Sequence, residues 1–267
     1  MDSLRLNQNI INQVINISSI AGKAILEIYR KDLDIQIKKD FSPLTQADLV
    51  SHEIITSSLK EITPNTPILS EESIDIPFTE RVKWNSYWLV DPLDGTKEFI
   101  NKNGEFTVNI ALIKNNKPVF GVIYVPTMKT TFWGSKDFGS FELNENQELK
   151  KIESNKHPNE NISFLVSRSH LGKEKGILDK VGNYEIIIAG SSLKFCLIAS
   201  GKADAYLRLG PTCEWDTAAG QAIVENAGGF VLGLNNKSLI YNKKNILNPF
   251  FFVSSNNGVK KRILEAL

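Results

Sequence analysis

The residues of this chain best suited to chemistry are two aspartates that directly follow an apolar segment. Residues 87–90, Tyr-Trp-Leu-Val, predict a strand covered on both faces, and Asp91 and Asp94 follow it directly. Their carboxylates, with the backbone carbonyl of Leu93 between them, are the hard oxygen ligands that Mg²⁺ accepts from proteins. The spacing therefore indicates a divalent-cation site at the end of a strand.

The turn that contains these aspartates also suits a phosphate group. Pro92 fixes its own φ and stiffens the turn, whereas Gly95 lets the backbone approach a ligand closely. The backbone N–H groups of Gly95 and Thr96 begin the next segment, where they could donate to a phosphate oxygen. Taken alone, residues 91–96 fit an ordinary surface turn with a helix cap equally well, so both interpretations stay open at this point.

Further carboxylates stand at the ends of predicted elements. Glu71, followed by Glu72, ends the apolar run at 68–70; Asp216 opens one predicted helix, and Asp48 lies in the first turn of another. Solvation at the surface explains any one of them. If Glu71 and Asp216 join the two aspartates of the turn, the four carboxylates repel one another strongly. Two divalent cations about 4 Å apart would relieve that repulsion and hold a phosphoryl group with its attacking water.

The elements that must position these residues follow an α+β or layered α/β plan, because helices come first, then strands, then an alternation of both. Helices are predicted at about residues 10–28, 45–61, 193–200 and 216–226. Strands are predicted at 87–90, 106–113, 119–125, 130–133, 139–143, 163–167, 185–189, 205–209 and 230–232. The polar tract at 142–161 predicts a boundary within a single domain, between two closely packed halves at about 1–145 and 160–267.

Composition excludes several classes of protein. The chain has 267 residues, of which 42% are hydrophobic and 23% charged, with a net charge of +1, so it can bury a sizeable core. Near-neutral charge without a concentrated basic run argues against nucleic acid as a partner. No apolar segment is long enough to span a bilayer. With only Cys196 and Cys213, a disulfide framework is not expected, and a reducing cytosol is the predicted location.

Several sequence blocks, in the same order, resemble those of the inositol monophosphatase superfamily. These blocks are Leu-Thr-Gln-Ala-Asp at 44–48, Leu-Ser-Glu-Glu at 69–72, the segment 88–99 around the acidic turn, and Trp-Asp-Thr-Ala-Ala at 215–219. More narrowly, residues 104–112, 167–170 and 190–196 are similar to those of the CysQ-type bacterial 3'(2'),5'-bisphosphate nucleotidases. The resemblance covers about residues 38–229, and blocks in a fixed order are far more specific than one motif.

This resemblance implies a layered α/β/α/β/α sugar-phosphatase fold. It also implies a phosphatase activity that depends on Mg²⁺, with two or three ions per site, and that is inhibited by Li⁺. The implied metal ligands are Glu71, Asp91, the carbonyl of Leu93, Asp94 and Asp216. The implied catalytic residues are Glu71, Asp48 and Thr96, of which the last two would orient the attacking water. A carboxylate–hydroxyl pair can accept the proton of that water as it attacks.

The implied reaction is hydrolysis of the 3'-phosphate of adenosine 3',5'-bisphosphate (PAP) to AMP and phosphate, with 3'-phosphoadenylyl sulfate (PAPS) as a second substrate, in sulfur assimilation or nucleotide recycling. One set of implied substrate contacts is shared with the metal site: Glu71, Leu93, Asp94, Gly95, Thr96 and Asp216. The other set lies in the second half of the chain: Ser167, Arg168, His170, Gly190, Ser191, Ser192 and Lys194. Arg168 and Lys194 are the candidates for the phosphate far from the metals.

Two alternatives remain open on the sequence. An inositol or other sugar phosphatase of the same superfamily would keep every metal ligand and change only the substrate wall. A non-catalytic nucleotide-binding regulator would also keep the site, although it would need neither Asp48 nor Thr96. By analogy with the family, peripheral attachment to the inner membrane is a further alternative, but no basic amphipathic helix supports it. The oligomeric state is not predicted.

Overall fold

The computed structural model describes residues 4–31, 35–37, 43–73, 75–157, 160–167, 172 and 174–267. The helices of this part are α1 (Gln8–Tyr29), α2 (Gln46–Ile62), α3 (Phe78–Arg81), α4 (Thr96–Ile100), α5 (Lys175–Val181), α6 (Leu193–Ala199), α7 (Glu214–Asn226) and α8 (Asn257–Ala266). Single 3₁₀ turns cover Glu71–Ser73 and Pro126–Met128. The predicted helices α1, α2, α6 and α7 are confirmed, each to within about two residues at its ends.

The first large sheet has seven strands in sequence order. They are β3 (Ile68–Ser70), β4 (Ser86–Asp94), β5 (Thr107–Lys114), β6 (Lys117–Val125), β7 (Thr130–Ser135), β8 (Gly139–Leu143) and β9 (Leu149–Ile152). β3 pairs parallel with β4, and every later neighbour is antiparallel. Asn115 and Asn116, both with positive φ, close the hairpin between β5 and β6.

The second large sheet has five strands and a mixed order. They are β10 (Ile162–Val166), β11 (Tyr184–Ile188), β12 (Ala205–Arg208), β13 (Phe230–Gly233) and β14 (Phe251–Ser254), in the order β11-β10-β12-β14-β13. The pairs around β10 are parallel, and those around β14 are antiparallel. A small antiparallel pair, β1 (Ile35–Ile37) and β2 (Pro43–Thr45), stands apart from both sheets.

These elements stack in five layers, which confirms the expected α/β/α/β/α fold. Helices α1 and α2 cover one face of the seven-stranded sheet, and α7, with α6 beside it, covers the other face. Helices α6 and α7 also lie against the five-stranded sheet, whose far face packs on α5 and α8. Alternate residues of β4 show how a central strand serves two layers: Trp88 packs toward α1 and α2, whereas Leu89 packs toward α7.

Helix α7 lies unusually close to the seven-stranded sheet because two strands carry glycine where they face it. A Cβ added to Gly121 would lie 2.4 Å from the carbonyl oxygen of Ala219, and one added to Gly134 would lie 2.9 Å from the Cα of Ile223. Protein interiors are packed too densely to yield to such overlaps. The position of α7, and of Asp216 in its first turn, is therefore fixed by backbone contact with the sheet.

Some elements were not predicted. The helices α3, α4, α5 and α8 and the strands β1, β2, β9 and β14 were missed, because most are short or carry no clear periodic stripe. Strand β9 lies inside the polar tract at 142–161 and pairs with β8, so part of that tract belongs to the seven-stranded sheet. The division of the chain into two halves stays a prediction. None of the helices in the described ranges is both long and apolar enough to cross a membrane.

Candidate active site

The end of β4 places the predicted ligands on an irregular stretch of strand. Asp91 pairs with Asn109 and Asp94 with Thr107, so β4 has one more residue than β5 between these two pairs. Such a bulge changes the direction in which side chains leave the strand. The N–H of Leu93 donates to Asp91 Oδ1 at 3.1 Å, which holds the turn that follows.

Three carboxylates meet at this bulge. Asp91, Asp94 and Asp216 each present an oxygen within 4.8 Å of the others, and Glu71 hydrogen-bonds to Asp91. Burial, reinforced by the surrounding acidic groups, raises the pKa of Asp91 well above its usual range. The pKa of Asp216 is raised in the same way, first by burial and then by Asp94. A hard divalent cation fits this donor set, because it supplies the charge that four clustered carboxylates lack.

Asp216 is held by its own helix. It is the third residue of α7, and its Oδ2 accepts the backbone N–H of Cys213 at 2.8 Å in a capping box. The first turn of a helix favours negative charge, so this position suits a carboxylate. The predicted ligand from the second half of the chain is thus brought to the ligands from β4.

Asp94 is clamped by a residue from the second half of the chain. The backbone N–H and the hydroxyl of Ser192 both lie 2.6 Å from Asp94 Oδ2. Asn109 Nδ2 donates to Ser192 Oγ at 2.8 Å, and Thr107 Oγ1 donates to Asn109 Oδ1 at 3.1 Å. Ser192, predicted as a substrate contact, lines the cleft and also bonds the Asp94 carboxylate. Asn109 was not predicted; a polar residue within the apolar strand 107–114 was the available signal.

Asp48 and Thr96 are brought together as the sequence predicted. Thr96 Oγ1 lies 3.4 Å from Asp48 Oδ1 and 3.4 Å from the carbonyl oxygen of Leu93. Asp48 Oδ2 accepts both the backbone N–H and the hydroxyl of Thr45, at 2.8 and 2.7 Å. Asp48 is therefore both the capping-box residue of α2 and the partner of Thr96.

The turn into α4 depends on Gly95. Its φ of 89° lies in the left-handed region, and a Cβ there would come within 3.1 Å of the carbonyl oxygen of Glu105. Gly190 faces the same segment, where a Cβ would come within 2.8 Å of Glu105 and Glu98. Glycine at these two positions lets the Gly190–Ser192 segment lie directly against the acidic turn.

These residues open into one cleft of about 470 Å³. Predicted residues that line it are Glu71, Asp91, Leu93, Asp94, Gly95, Thr96, Ser167, Gly190, Ser191, Ser192, Lys194 and Asp216. Asp48 stands behind Thr96 rather than on the surface of the cleft. Arg168 and His170 lie outside the described residues. The structure thus gathers nearly all of the predicted site residues that it describes.

The cleft also contains a cation that the sequence analysis missed. Arg208, at the end of β12, lines the cleft and donates to Ser167 Oγ at 3.2 Å and to the carbonyl oxygen of Pro211 at 3.0 Å. Its charge helps to lower the pKa of Asp216 against the stronger effect of burial. Arg208 lies within the predicted strand at 205–209, and apart from its charge nothing in the sequence indicated that it belongs to the site.

Lys194 is buried beneath the Gly190–Ser192 segment. Its Nζ donates to the carbonyl oxygens of Ala189 at 3.2 Å and Ser191 at 2.7 Å, and lies 5.1 Å from the ring centre of Tyr206. Burial lowers the pKa of Lys194 from 10.5 to about 8, although Asp94 acts in the opposite direction. Its ammonium has three N–H donors, and its bonds to other described residues use two of them.

The lowered pKa of Lys194 predicts a measurable pH dependence of stability. Below pH 8 the lysine is protonated in both states, and its burial costs about 3 kcal/mol of folding free energy. Above pH 8 Lys194 loses its proton in the folded state before it does so in the unfolded state, so the free energy of unfolding rises with pH up to about 10.5.

The measurement is urea unfolding in EDTA. Relative to Lys194→Met, the free energy of unfolding of the wild-type protein should rise by about 2 kcal/mol between pH 7.5 and 10.

The matched control for this measurement is Lys244→Met, which removes an exposed lysine. Its stability relative to wild type should be constant over the same pH range. A constant difference for Lys194→Met as well would contradict the lowered pKa.

The sequence matches known proteins over nearly its whole length. The inositol monophosphatase family matches residues 6–266. A protein named 3'(2'),5'-bisphosphate nucleotidase CysQ from Escherichia coli (strain K12) is 43% identical over 249 residues, 91% of this chain and 99% of that one. A protein of the same name from Aggregatibacter actinomycetemcomitans is 40% identical over 92% of this chain and 93% of that one.

Solved structures agree with this result. The crystal structure of CysQ from Bacteroides thetaiotaomicron superposes with a TM-score of 0.82 at 40% identity, over 93% of this chain and 97% of that one. An IMPase from Thermotoga maritima superposes with a TM-score of 0.80 at 22% identity, over 97% and 98%, which supports the fold alone. The five layers, the acidic turn and the match over nearly the whole sequence lead to one assignment. The chain belongs to the inositol monophosphatase family.

Proposed function

We propose that this protein is a Mg²⁺-dependent 3'(2'),5'-bisphosphate nucleotidase that hydrolyses the 3'-phosphate of PAP to give AMP and phosphate. The observation that carries the proposal is the carboxylate cluster of Asp91, Asp94 and Asp216 beside the Asp48–Thr96 pair, in one cleft. The relatives named CysQ, at about 40% identity over more than 90% of the chain, support this substrate over others of the family.

The metal ligands in this proposal are Glu71, Asp91, the Leu93 carbonyl, Asp94 and Asp216. When bound, Mg²⁺ would neutralise the charge of the phosphoryl group and lower the pKa of the attacking water. The chain's own contribution is the clustered carboxylate set, whose two raised pKa values show that it favours positive charge. We propose that two or three Mg²⁺ ions bind at this site.

Proton transfer is the role we assign to Asp48 and Thr96. Asp48 Oδ2 accepts from Thr45, and Asp48 Oδ1 lies 3.4 Å from the Thr96 hydroxyl. A water that donates to Thr96 Oγ1 can pass its proton to this carboxylate as its oxygen forms the new bond to phosphorus. The bond from phosphorus to the 3'-oxygen breaks at the same time, and that oxygen takes up a proton from solvent water as AMP is released. No covalent enzyme intermediate is required.

The positive groups of the cleft would hold the second phosphate. Lys194 and Arg208, which presents a guanidinium from β12, both line the cleft. An inositol monophosphate has no second phosphate for these cations, which favours the nucleotide over the sugar-phosphatase alternative. The placement of Thr96 within 3.4 Å of Asp48 favours an enzyme over a non-catalytic regulator, because a regulator has no use for a proton acceptor there.

The experiment compares phosphate release from PAP and from inositol 1-phosphate, with Mg²⁺ and with or without Li⁺. We expect PAP to be hydrolysed with a kcat/KM at least about a hundred-fold higher, inhibition by Li⁺, and AMP rather than adenosine 3'-phosphate as the product. Preference for inositol 1-phosphate would favour the sugar-phosphatase alternative. Tight binding of PAP by calorimetry with no product after hours would favour the regulator.

Finer assignments extend this proposal. PAPS, which carries the same 3'-phosphate, would be a second substrate, and the reaction would serve sulfur assimilation or nucleotide recycling. The two cysteines, Cys196 and Cys213, are not joined in a disulfide, which fits the reducing cytosol that we propose as the location.

A further inference from the structure

We propose that Leu247, on the rim of the cleft, forms the wall against which the nucleobase of a bound nucleotide packs. This inference rests on the proposed function and assigns part of its substrate selectivity to a residue outside every sequence block of the family resemblance. Leu247 lines the same cleft as the carboxylate cluster. It lies on the segment that connects β13 to β14.

Leu247 is the accessible large apolar side chain of the cleft. Phe195, Tyr206, Trp215 and Phe251 also line it, but each is at most 6% exposed and is packed in the core. Leu247 is 46% exposed, and within the described ranges it is the one exposed large hydrophobic side chain that reaches the cleft. A flat base that enters the cleft would therefore find its apolar contact here.

The backbone of Leu247 is fixed beside the metal site. It forms an isolated antiparallel bridge with Cys213, and the flanking bonds run from Glu214 N to the Ile246 carbonyl and from Asn248 N to the Thr212 carbonyl. Cys213 immediately precedes α7, and its N–H binds Asp216. The rim leucine and the metal-site carboxylate are therefore tied to the same helix end.

Buried polar groups hold the segment from both sides. Asn248 Nδ2 reaches the Cys213 carbonyl at 2.6 Å and Thr217 Oγ1 at 3.0 Å. Glu214, which is fully buried, accepts the N–H groups of Asn242 and Lys243 and pairs with the Lys243 ammonium at 2.7 Å. Exposed leucines are common on protein surfaces, but few are positioned by so many buried hydrogen bonds.

A rigid apolar wall at this place has a defined consequence for selectivity. A ligand with a base gains contact with Leu247, whereas inorganic phosphate has no base to place against it. Because no bond to the reacting phosphoryl group involves Leu247, its removal should weaken nucleotide binding and leave the chemical step unchanged.

The test measures AMP binding by calorimetry in the presence of Mg²⁺, for the wild-type protein, Leu247→Ser and Leu247→Met. We expect the Kd of AMP to rise about five- to ten-fold in Leu247→Ser and to stay within about two-fold in Leu247→Met. The inhibition constant of inorganic phosphate should be unchanged within about two-fold, whereas kcat/KM for PAP should fall about as far as the affinity for AMP. Ile240→Ser is the matched control, because Ile240 is 55% exposed on the same segment but does not line the cleft.

The outcomes separate this inference from the proposed function. An unchanged Kd for AMP in Leu247→Ser, an equal change in Ile240→Ser, or no AMP binding by the wild-type protein would each overturn the role of Leu247. Absence of phosphate release from PAP by a wild-type protein that binds AMP would overturn the proposed function alone.

Discussion

Asp94→Asn should lower the kcat/KM for PAP by about a thousand-fold or more while the protein remains folded. Asparagine keeps an oxygen for the Ser192 N–H and hydroxyl, so the bonds that join the acidic turn to the Gly190–Ser192 segment can persist. It loses the charge that a divalent cation needs. It also relieves repulsion on Asp91 and Asp216, whose pKa values Asp94 raises.

The loss of charge in Asp94→Asn should also be visible in thermal unfolding, which is independent of activity. In EDTA, Asp94→Asn should unfold at a temperature equal to or above that of wild type, because one of the mutually repelling carboxylates is gone. Added Mg²⁺ should raise the melting temperature of wild type and leave the variant unchanged.

Glu72→Gln is the matched control for Asp94→Asn. It removes the same charge next to Glu71, but Glu72 does not line the cleft, so the variant should retain both activity and the stabilisation by Mg²⁺. Retained activity in Asp94→Asn, or an equal loss in Glu72→Gln, would contradict the assignment of Asp94 as a metal ligand.

Those parts of the site that are built from one short segment were predictable from the sequence. The strand β4, its exit at Asp91 and Asp94, and the start of α7 at Asp216 each follow from local patterns of apolar, turn and capping residues. The pairing of Asp48 with Thr96 came from the family resemblance, and the two residues lie in contact.

Contacts between distant segments could not be predicted in the same way. Ser192 and Asp94 are 98 residues apart, and no local pattern indicates that a serine before α6 bonds a carboxylate at the end of β4. Asn109 acquires its role only because Ser192, 83 residues away in the sequence, accepts a hydrogen bond from its side-chain N–H. Lys194 illustrates the same limit, because its burial depends on how α6 packs against β12.

The site therefore lies where the two sheets are joined through α6 and α7. Asp94 from the first sheet is fixed by Ser192, which immediately precedes α6, and Asp216 is supplied by α7. A displacement of one part of the chain relative to the other would separate these groups. Catalytic geometry consequently depends on the glycine contacts that hold α7 against the seven-stranded sheet.

Asp48→Asn should lower kcat for PAP by about a hundred-fold or more, with a much smaller change in KM. Asp48 has two roles in the structure: Oδ2 closes the capping box of α2 with Thr45, and Oδ1 faces the Thr96 hydroxyl. An amide can still accept a hydrogen bond from Thr45, but it cannot take a proton. Stability should fall by only about 1 kcal/mol, the usual contribution of a helix cap.

Thr45→Ala separates these two roles. It removes the capping hydroxyl that accepts the Ala47 N–H, and with it one donor to Asp48, while the Asp48 carboxylate stays in place. We expect a similar loss of about 1 kcal/mol in thermal or urea unfolding, with kcat kept within about ten-fold of wild type. If Asp48 acted only as a helix cap, the two variants would lose activity equally. A large fall in kcat confined to Asp48→Asn would identify the carboxylate as the proton acceptor next to Thr96.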